Sequence, residues 1–161
     1  MKTFKQFCFI LENNRAPLYH GTGHDSAHHV LKSGSISSSG AKNGQHRIST
    51  SRDKKYAHEW GELGHDNNSV TFHLDHNKIK HNQKVKPADY HGGSDLPQSG
   101  DDMDMRHDDY RRSESEENIK GKVSTKHITH MSLNKKMDSK VKSKLIKAAA
   151  KHAPHIKITS H

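Results

Sequence analysis

Residues 18–22 read Leu-Tyr-His-Gly-Thr, and this stretch sets the interpretation of the whole chain. Its first three residues form a short strand-like run, which ends at the glycine. Asp25 or Ser26 can then cap a helix that Gly34 closes, because these residue types are favoured at the two ends of helices. The sequence therefore predicts a His-Gly-Thr triplet at the end of a strand, directly before a helix.

The remaining polar motifs also lie on short strands with helices between them. Residues 48–51, Ile-Ser-Thr-Ser, predict a second strand, after which Arg52 or Asp53 begins a helix. Tyr56 and Trp60 share one face of that helix, a spacing that is also typical of a core pair. Further strands are expected at residues 69–75, 83–86, 114–121 and 126–133. This alternation of short strands and helices indicates an α+β fold.

Length and composition allow one modest core. Only 29% of the 161 residues are hydrophobic and 28% are charged, which excludes two large cores. We expect a docking or delivery peptide over residues 1–14, a single domain over residues 15–134, and a basic amphipathic helix and tail over residues 135–161. The single cysteine, Cys8, excludes an intrachain disulfide and a thiolate zinc site. The longest apolar run, residues 7–11, is too short to cross a bilayer, which favours a cytoplasmic protein.

The net charge of +9 is concentrated in the last quarter of the chain. Residues 119–161 hold eleven lysines and one acidic residue, Asp138, whereas residues 1–118 are close to neutral. Apolar residues recur at spacings of three and four over residues 137–152, which predicts a basic amphipathic helix. Such a segment attracts nucleic acid or another polyanion. It contains no aromatic residue on which a base could stack, so sequence-specific recognition of single strands is not expected.

Three separated motifs resemble the ADP-ribosyltransferase superfamily, particularly its poly(ADP-ribose) polymerase-like branch. Residues 18–22 resemble that branch's strand ending in His-Gly-Ser/Thr. Residues 48–57 resemble the next block, in which a strand leads into a helix that presents a tyrosine, and residues 117–119 resemble the late strand that opens with the catalytic glutamate. The motifs occur in the family's order between residues 17 and 133. The resemblance implies a split, mainly antiparallel sheet with flanking helices that holds NAD, the co-substrate, in a cleft.

The resemblance also implies a role for individual residues of these motifs. His20 would bind ribose, Gly21 would hold the nicotinamide carboxamide through its backbone, and Tyr56 would stack on the nicotinamide ring. The cofactor-binding set is completed by Thr22, Ser49 and Ser51. The chemistry of the residues agrees with these roles, since a neutral imidazole hydrogen-bonds ribose hydroxyls without repelling the cationic nicotinamide.

Three acidic residues open the late strand, and one of them would be catalytic. Cleavage of the nicotinamide–ribose bond leaves a ribose with oxocarbenium character, which a nearby carboxylate stabilises. The family spacing favours Glu117, whereas a Glu-x-Glu pair, as in the arginine-specific branch of the superfamily, would favour Glu114 and Glu116. Our interpretation places Glu117 first and Glu116 second. The chain departs from the branch at Asp53, which stands where the family has a serine, and Ser51 could take the role of that serine.

These inferences predict an NAD-dependent ADP-ribosyltransferase that modifies a macromolecular acceptor, protein or nucleic acid, and releases nicotinamide. In the superfamily the loop before the catalytic strand, here residues 88–113, helps to choose the acceptor. A divergent member could use NAD on a 2′-phosphorylated RNA or could have lost catalysis. The alternative from another class is a non-enzymatic basic nucleic-acid-binding or phage head-associated protein. Residues 1–12 resemble the delivery peptides of tailed-phage head proteins, which would place the protein in the host cytoplasm or in a virion.

The many histidines do not predict a metal site. His20, His24 and His28 fall at spacings of four, but the intervening Gly-Thr-Gly prevents one helix from carrying all three. No HExxH arrangement is present. Residues 101–109 are rich in aspartate but lack the glycine and terminal glutamate of an EF-hand.

Overall fold

The structure of the protein, a computed structural model, describes residues 17–37, 47–63, 65, 67–82, 85–87 and 116–160. The peptide expected at residues 1–14, the loop at residues 88–113 and Glu114 lie outside these residues.

Short strands and helices alternate through the described part of the chain. The strands are β1 (Leu18–Gly23), β2 (Ser35–Ile36), β3 (Arg47–Ser51), β4 (Ser69–Leu74), β5 (Val85–Pro87), β6 (Glu116–Lys120), β7 (Val123–Ser124), β8 (Ile128–Leu133) and β9 (Lys157–Ser160). The helices are α1 (His24–Ser33), α2 (Lys54–Glu62), α3 (His76–Asn82) and α4 (Ser139–His152), and a 3-10 turn spans Thr125–His127. This content confirms the predicted α+β class.

Seven strands form the main sheet, in the order β5-β6-β3-β1-β4-β8-β9, and β2 pairs with β7 separately. All neighbours in the main sheet are antiparallel except β8 and β9. β1 pairs with β4 over its whole length, but its register with β3 is a single pair, Tyr19 opposite Ser51. The two central strands therefore separate beyond this pair, and the split, mainly antiparallel sheet is confirmed.

A cluster of buried apolar side chains joins the sheet to the helices. Val70, Phe72 and Leu74 alternate along β4 and are fully buried in this cluster, and Ser69 and Thr71 on the opposite face of the strand are buried too. Leu145 and Ala149 bring the apolar face of α4 into the same cluster. The basic carboxyl-terminal helix is thus packed into the core on one side and exposed on the other.

The helix α4 begins at a side-chain cap, and a short strand follows its last residues. The carboxylate of Asp138 accepts hydrogen bonds from the backbone N–H groups of Lys140 and Val141, at 2.9 and 3.1 Å, and so caps the helix. β9, which follows, was not predicted. Its residues are all exposed and include one large apolar side chain, Ile158, so the strand has no pattern of alternating burial.

Two further details differ from the expectations. α1 begins at His24 with Gly23 as its N-cap and without a side-chain capping bond, so the predicted cap at Asp25 or Ser26 was wrong. α3 was not predicted, because Ile79 is its only apolar residue and one buried position creates no periodicity.

β1 and α2 contact each other through glycine. A Cβ atom at Gly21 would overlap the backbone carbonyl of Ala57, and one at Gly61 would lie 2.8 Å from the backbone nitrogen of Thr22. Neither neighbour is the end of a flexible side chain, so the two backbones approach this closely only because both positions lack a Cβ. The contact fixes α2 beside the strand that carries the His-Gly-Thr triplet.

Candidate active site

A cavity of about 140 Å³ lies between α2 and the two strands that separate, β1 and β3. It is lined by Tyr19, His20, Gly21, Ser49, Thr50, Ser51, Tyr56, Ala57 and Trp60. An apolar cavity of about 150 Å³ is large enough to bind benzene. The cavity can therefore take one planar six-membered ring, with the remainder of a larger ligand outside it.

The imidazole of His20 crosses the gap between the separating strands. Its Nδ1 lies 2.9 Å from the backbone oxygen of Ser49. Because a carbonyl oxygen only accepts, Nδ1 donates and carries the proton, which leaves Nε2 of the neutral ring as a hydrogen-bond acceptor. Burial lowers the pKa of His20, and the hydrogen bond to Ser49 opposes part of this change. The ring is therefore neutral at pH 7, with its acceptor nitrogen fixed.

The turn between β3 and α2 is held by two side-chain acceptors. The carboxylate of Asp53 accepts hydrogen bonds from the backbone N–H groups of Lys55 and Tyr56, at 2.8 and 3.3 Å. The hydroxyl of Ser51 accepts the backbone N–H of Asp53 at 2.9 Å. The residue that departs from the family pattern is thus the N-cap of α2. The cap starts the helix at the place that brings Tyr56 to the cavity.

Two aromatic rings on α2 form one wall of the cavity. Tyr56 and Trp60 meet edge to face, with ring centroids 6.2 Å apart and an interplanar angle of 82°. Trp60 is 55% exposed, so the interpretation of these residues as a core pair is wrong for the tryptophan. A large ring that is open to solvent beside a cavity is suited to packing against a ligand.

The strand next to the cavity carries a shielded ion pair. Glu117 on β6 lies opposite Thr50 of the cavity wall, and the Thr50 hydroxyl donates to the backbone oxygen of Glu117 at 2.8 Å. Arg52 donates to both carboxylate oxygens, from Nε at 2.7 Å and from Nη2 at 3.0 Å. The side chains of Arg52 and Glu117 are only 8% and 16% exposed. The two bonds from Arg52 fix the orientation of the carboxylate, and Nη2 of Arg52 also lies 3.4 Å from Nε2 of His76.

The structure brings most of the predicted site residues to one place. Those that line the cavity are His20, Gly21, Ser49, Ser51 and Tyr56. Thr22 is not among the lining residues, and it pairs with Val70 of β4 on the far side from β3. Glu117 lies one strand away from the cavity, beside Thr50, and Glu116 precedes it in the same strand opposite Ser51.

Three residues of the site were not singled out in the sequence. Arg52 is 65 residues from Glu117 in the chain, and only the pairing of β3 with β6 brings the two together. Tyr19 lies within the motif at residues 18–22, and Thr50 lies within the motif at residues 48–57. Their position next to predicted site residues was the signal that could have identified them. Burial raises the pKa of Tyr19, and the charge of Asp53 raises it further, so the phenol stays protonated in the cavity wall.

The described ranges contain neither a group of metal-ligating side chains nor a membrane-spanning helix. None of their histidine, cysteine, aspartate and glutamate side chains form a group of three or more that could hold a metal ion. None of the helices in these ranges is both long and apolar enough to cross a membrane.

Comparison with known proteins identifies the fold. No protein-family model matches the chain, and no curated protein matches it. Two solved structures of DarT from Thermus sp. 2.9 are similar to it: a complex with carba-NAD+ (TM-score 0.58, 11% identity) and a complex with NAD+ (TM-score 0.57, 10% identity). Each match covers 91% of this chain, and 95% and 96% of the respective DarT chains. The chain therefore shares the fold of DarT.

Proposed function

We propose that this protein binds NAD in the cleft between β1, β3 and α2 and transfers its ADP-ribose to a macromolecular acceptor. The observation that carries the proposal is the ring-sized cavity at the split of the sheet, with the fixed imidazole of His20 in its wall and Glu117 on the adjoining strand. The fold shared with DarT, which was solved with NAD+ bound, supports the same ligand class.

The nicotinamide ring occupies the cavity in this proposal. The size of the nicotinamide ring agrees with the cavity volume of about 140 Å³, and Tyr56 and Trp60 supply aromatic surface on the α2 side of the cavity. The backbone of Gly21 offers an N–H and a C=O to the carboxamide. These contacts hold the nicotinamide, which is the leaving group, in the cavity. The ribose and the diphosphate then lie outside the cavity.

His20 binds a ribose hydroxyl in this arrangement. The proton on Nδ1 is held by Ser49, so Nε2 accepts the hydroxyl hydrogen. A neutral ring adds no positive charge beside the cationic nicotinamide, which favours binding of the substrate.

Glu117 stabilises the positive charge that develops on the ribose. The C1′–N bond breaks, its electron pair leaves with the nicotinamide nitrogen, and a nucleophile of the acceptor bonds to C1′ and loses a proton. The ion pair with Arg52 uses one lone pair on each carboxylate oxygen, which leaves others for a ribose hydroxyl. Arg52 acts as a positioning residue that holds the carboxylate in place.

The test is incubation of the purified chain with NAD labelled in the adenylate, with and without a lysate that supplies acceptors. We expect release of nicotinamide in both cases and labelled macromolecules when the lysate is present. A folded protein that releases no nicotinamide and labels nothing would contradict the proposed transfer.

The tautomer of His20 predicts how ligand binding depends on pH. Affinity for a non-hydrolysable NAD analogue should be constant from pH 8 to about 6.5, the ordinary histidine pKa, and should fall at lower pH. The reason is that burial lowers the pKa of His20, and protonation at Nε2 removes the acceptor.

Calorimetric titration of the His20→Ala variant is the matching measurement. We expect affinity to drop about fivefold to tenfold, the value of one hydrogen bond, and the acid limb of the pH profile to disappear. The control is His29→Ala, which replaces an exposed histidine on α1. This variant should keep the wild-type affinity and the acid limb of the pH profile. An acid limb of equal size in His20→Ala would assign the titration to another group.

A further inference from the structure

The outer side of α4 carries a straight row of lysines. Lys140, Lys144, Lys147 and Lys151 follow one another at four, three and four residues, which places them on one face of the helix. All four are exposed. At about 1.5 Å per residue the row is about 16 Å long. Within the described ranges, none of these four ammonium groups pairs with a carboxylate.

The row forms one wall of a groove of about 430 Å³ between α4 and α1. The groove is lined by the four lysines together with His28, Ser143, Ala148 and His152. The sequence singled out the lysine-rich helix, but the contribution of α1 follows only from the packing of the two helices.

His28 in the groove lies close to several positively charged side chains. Burial lowers the pKa of His28, and the positive charges of Lys144, Lys32 and His152 lower it further, against a smaller opposite effect of Asp25. Positive charges thus converge on the groove from both helices. An anion placed there would relieve their mutual repulsion.

The packing of α4 argues against a membrane as the partner. An interfacial helix inserts its apolar face between lipids. In this protein that face is occupied, because Leu145, Ala148 and Ala149 are buried in the core. The groove also contains no large apolar side chain that could anchor a protein partner.

We propose that the groove between α1 and α4 is a docking site for the phosphodiester backbone of a nucleic-acid duplex. A duplex carries one phosphate per about 1.7 Å of its axis, so a row of this length faces several phosphates at once. No phenylalanine, tyrosine or tryptophan lines the groove for base stacking, so binding is independent of base sequence. The proposal is independent of the NAD chemistry, since it uses a different surface.

The test compares two variants of the full chain that lose the same charge. The groove variant carries Lys144→Gln, Lys147→Gln and Lys151→Gln, and the control variant carries Lys126→Gln, Lys135→Gln and Lys136→Gln, which are exposed outside the groove. Binding of a fluorescein-labelled duplex DNA is followed by anisotropy over a series of salt concentrations, in the absence of NAD. Thermal unfolding of both variants verifies that the fold is kept.

We expect the wild-type affinity to fall steeply with salt. The groove variant should reduce the slope of log affinity against log salt by about 2.7, which is 0.9 for each lost phosphate contact, and the control variant should change it little. Equal losses in the two variants would mean diffuse attraction by net charge and would overturn the site. Unchanged binding in the groove variant would also overturn it, as would preference for phosphatidylserine vesicles or polyglutamate over the duplex.

Discussion

Substitution of Glu117 by glutamine is expected to lower nicotinamide release by about 10²- to 10³-fold, as for the loss of one preorganised group that stabilises transition-state charge. Glutamine keeps the size of the side chain and an oxygen that can accept from Arg52, but it removes the negative charge that the ribose needs. Binding of a non-hydrolysable NAD analogue should change much less than the rate, because the charge on the ribose develops only in the transition state. The measurement is the rate of nicotinamide release together with the affinity for the analogue.

Two matched substitutions control this experiment. Glu59→Gln alters a half-buried glutamate on α2 that pairs with Lys55, and it should leave the rate unchanged. Glu116→Gln alters the second candidate in the same strand, and we expect a much smaller loss than for Glu117→Gln. If Glu116→Gln abolishes release while Glu117→Gln does not, the catalytic glutamate has been assigned to the wrong residue.

The largest effect on stability is expected from Gly21→Ala. The new methyl group would overlap the backbone carbonyl of Ala57, so β1 and α2 would have to move apart to accommodate it. We expect a loss of about 3 kcal/mol, the upper part of the range for overpacking, which corresponds to a decrease in Tm of about 6 to 12 °C for a chain of this size. Thermal and urea unfolding measure it directly.

Gly23→Ala is the control on the same strand. The three atoms nearest to its Cβ all belong to the imidazole of His65, which can rotate away, so the loss should be far smaller. Equal losses at the two positions would indicate that the glycines matter for the strand itself and not for the contact with α2. The comparison therefore tests whether this contact sets the position of the cavity wall.

Local patterns in the sequence were sufficient for the elements that carry the site. The strand that carries His20 and the helix that presents Tyr56 both followed from short stretches of sequence, although β1 continues to Gly23, past the predicted end at Gly21. Asp53 shows the limit of a family pattern. It departs from the serine expected at this position, yet physically it is a good N-cap, and its two hydrogen bonds account for its presence.

Contacts between distant residues could not be predicted in the same way. The pairing of Arg52 with Glu117 depends on the register of β3 against β6, and nothing in either strand alone specifies that register. β9 and α3 were not predicted from the sequence, for a different reason. Each has one large apolar side chain, so tertiary packing and not periodicity determines its structure.

The central claim is that the cavity at the split of the sheet holds the nicotinamide end of NAD. Trp60 is the only tryptophan of the chain and lines this cavity, so its fluorescence reports occupancy of the site alone. Titration with a non-hydrolysable NAD analogue should change the Trp60 emission saturably, and free nicotinamide should compete for the same change. Emission that does not respond in the folded protein, or a response with which nicotinamide does not compete, would contradict the account.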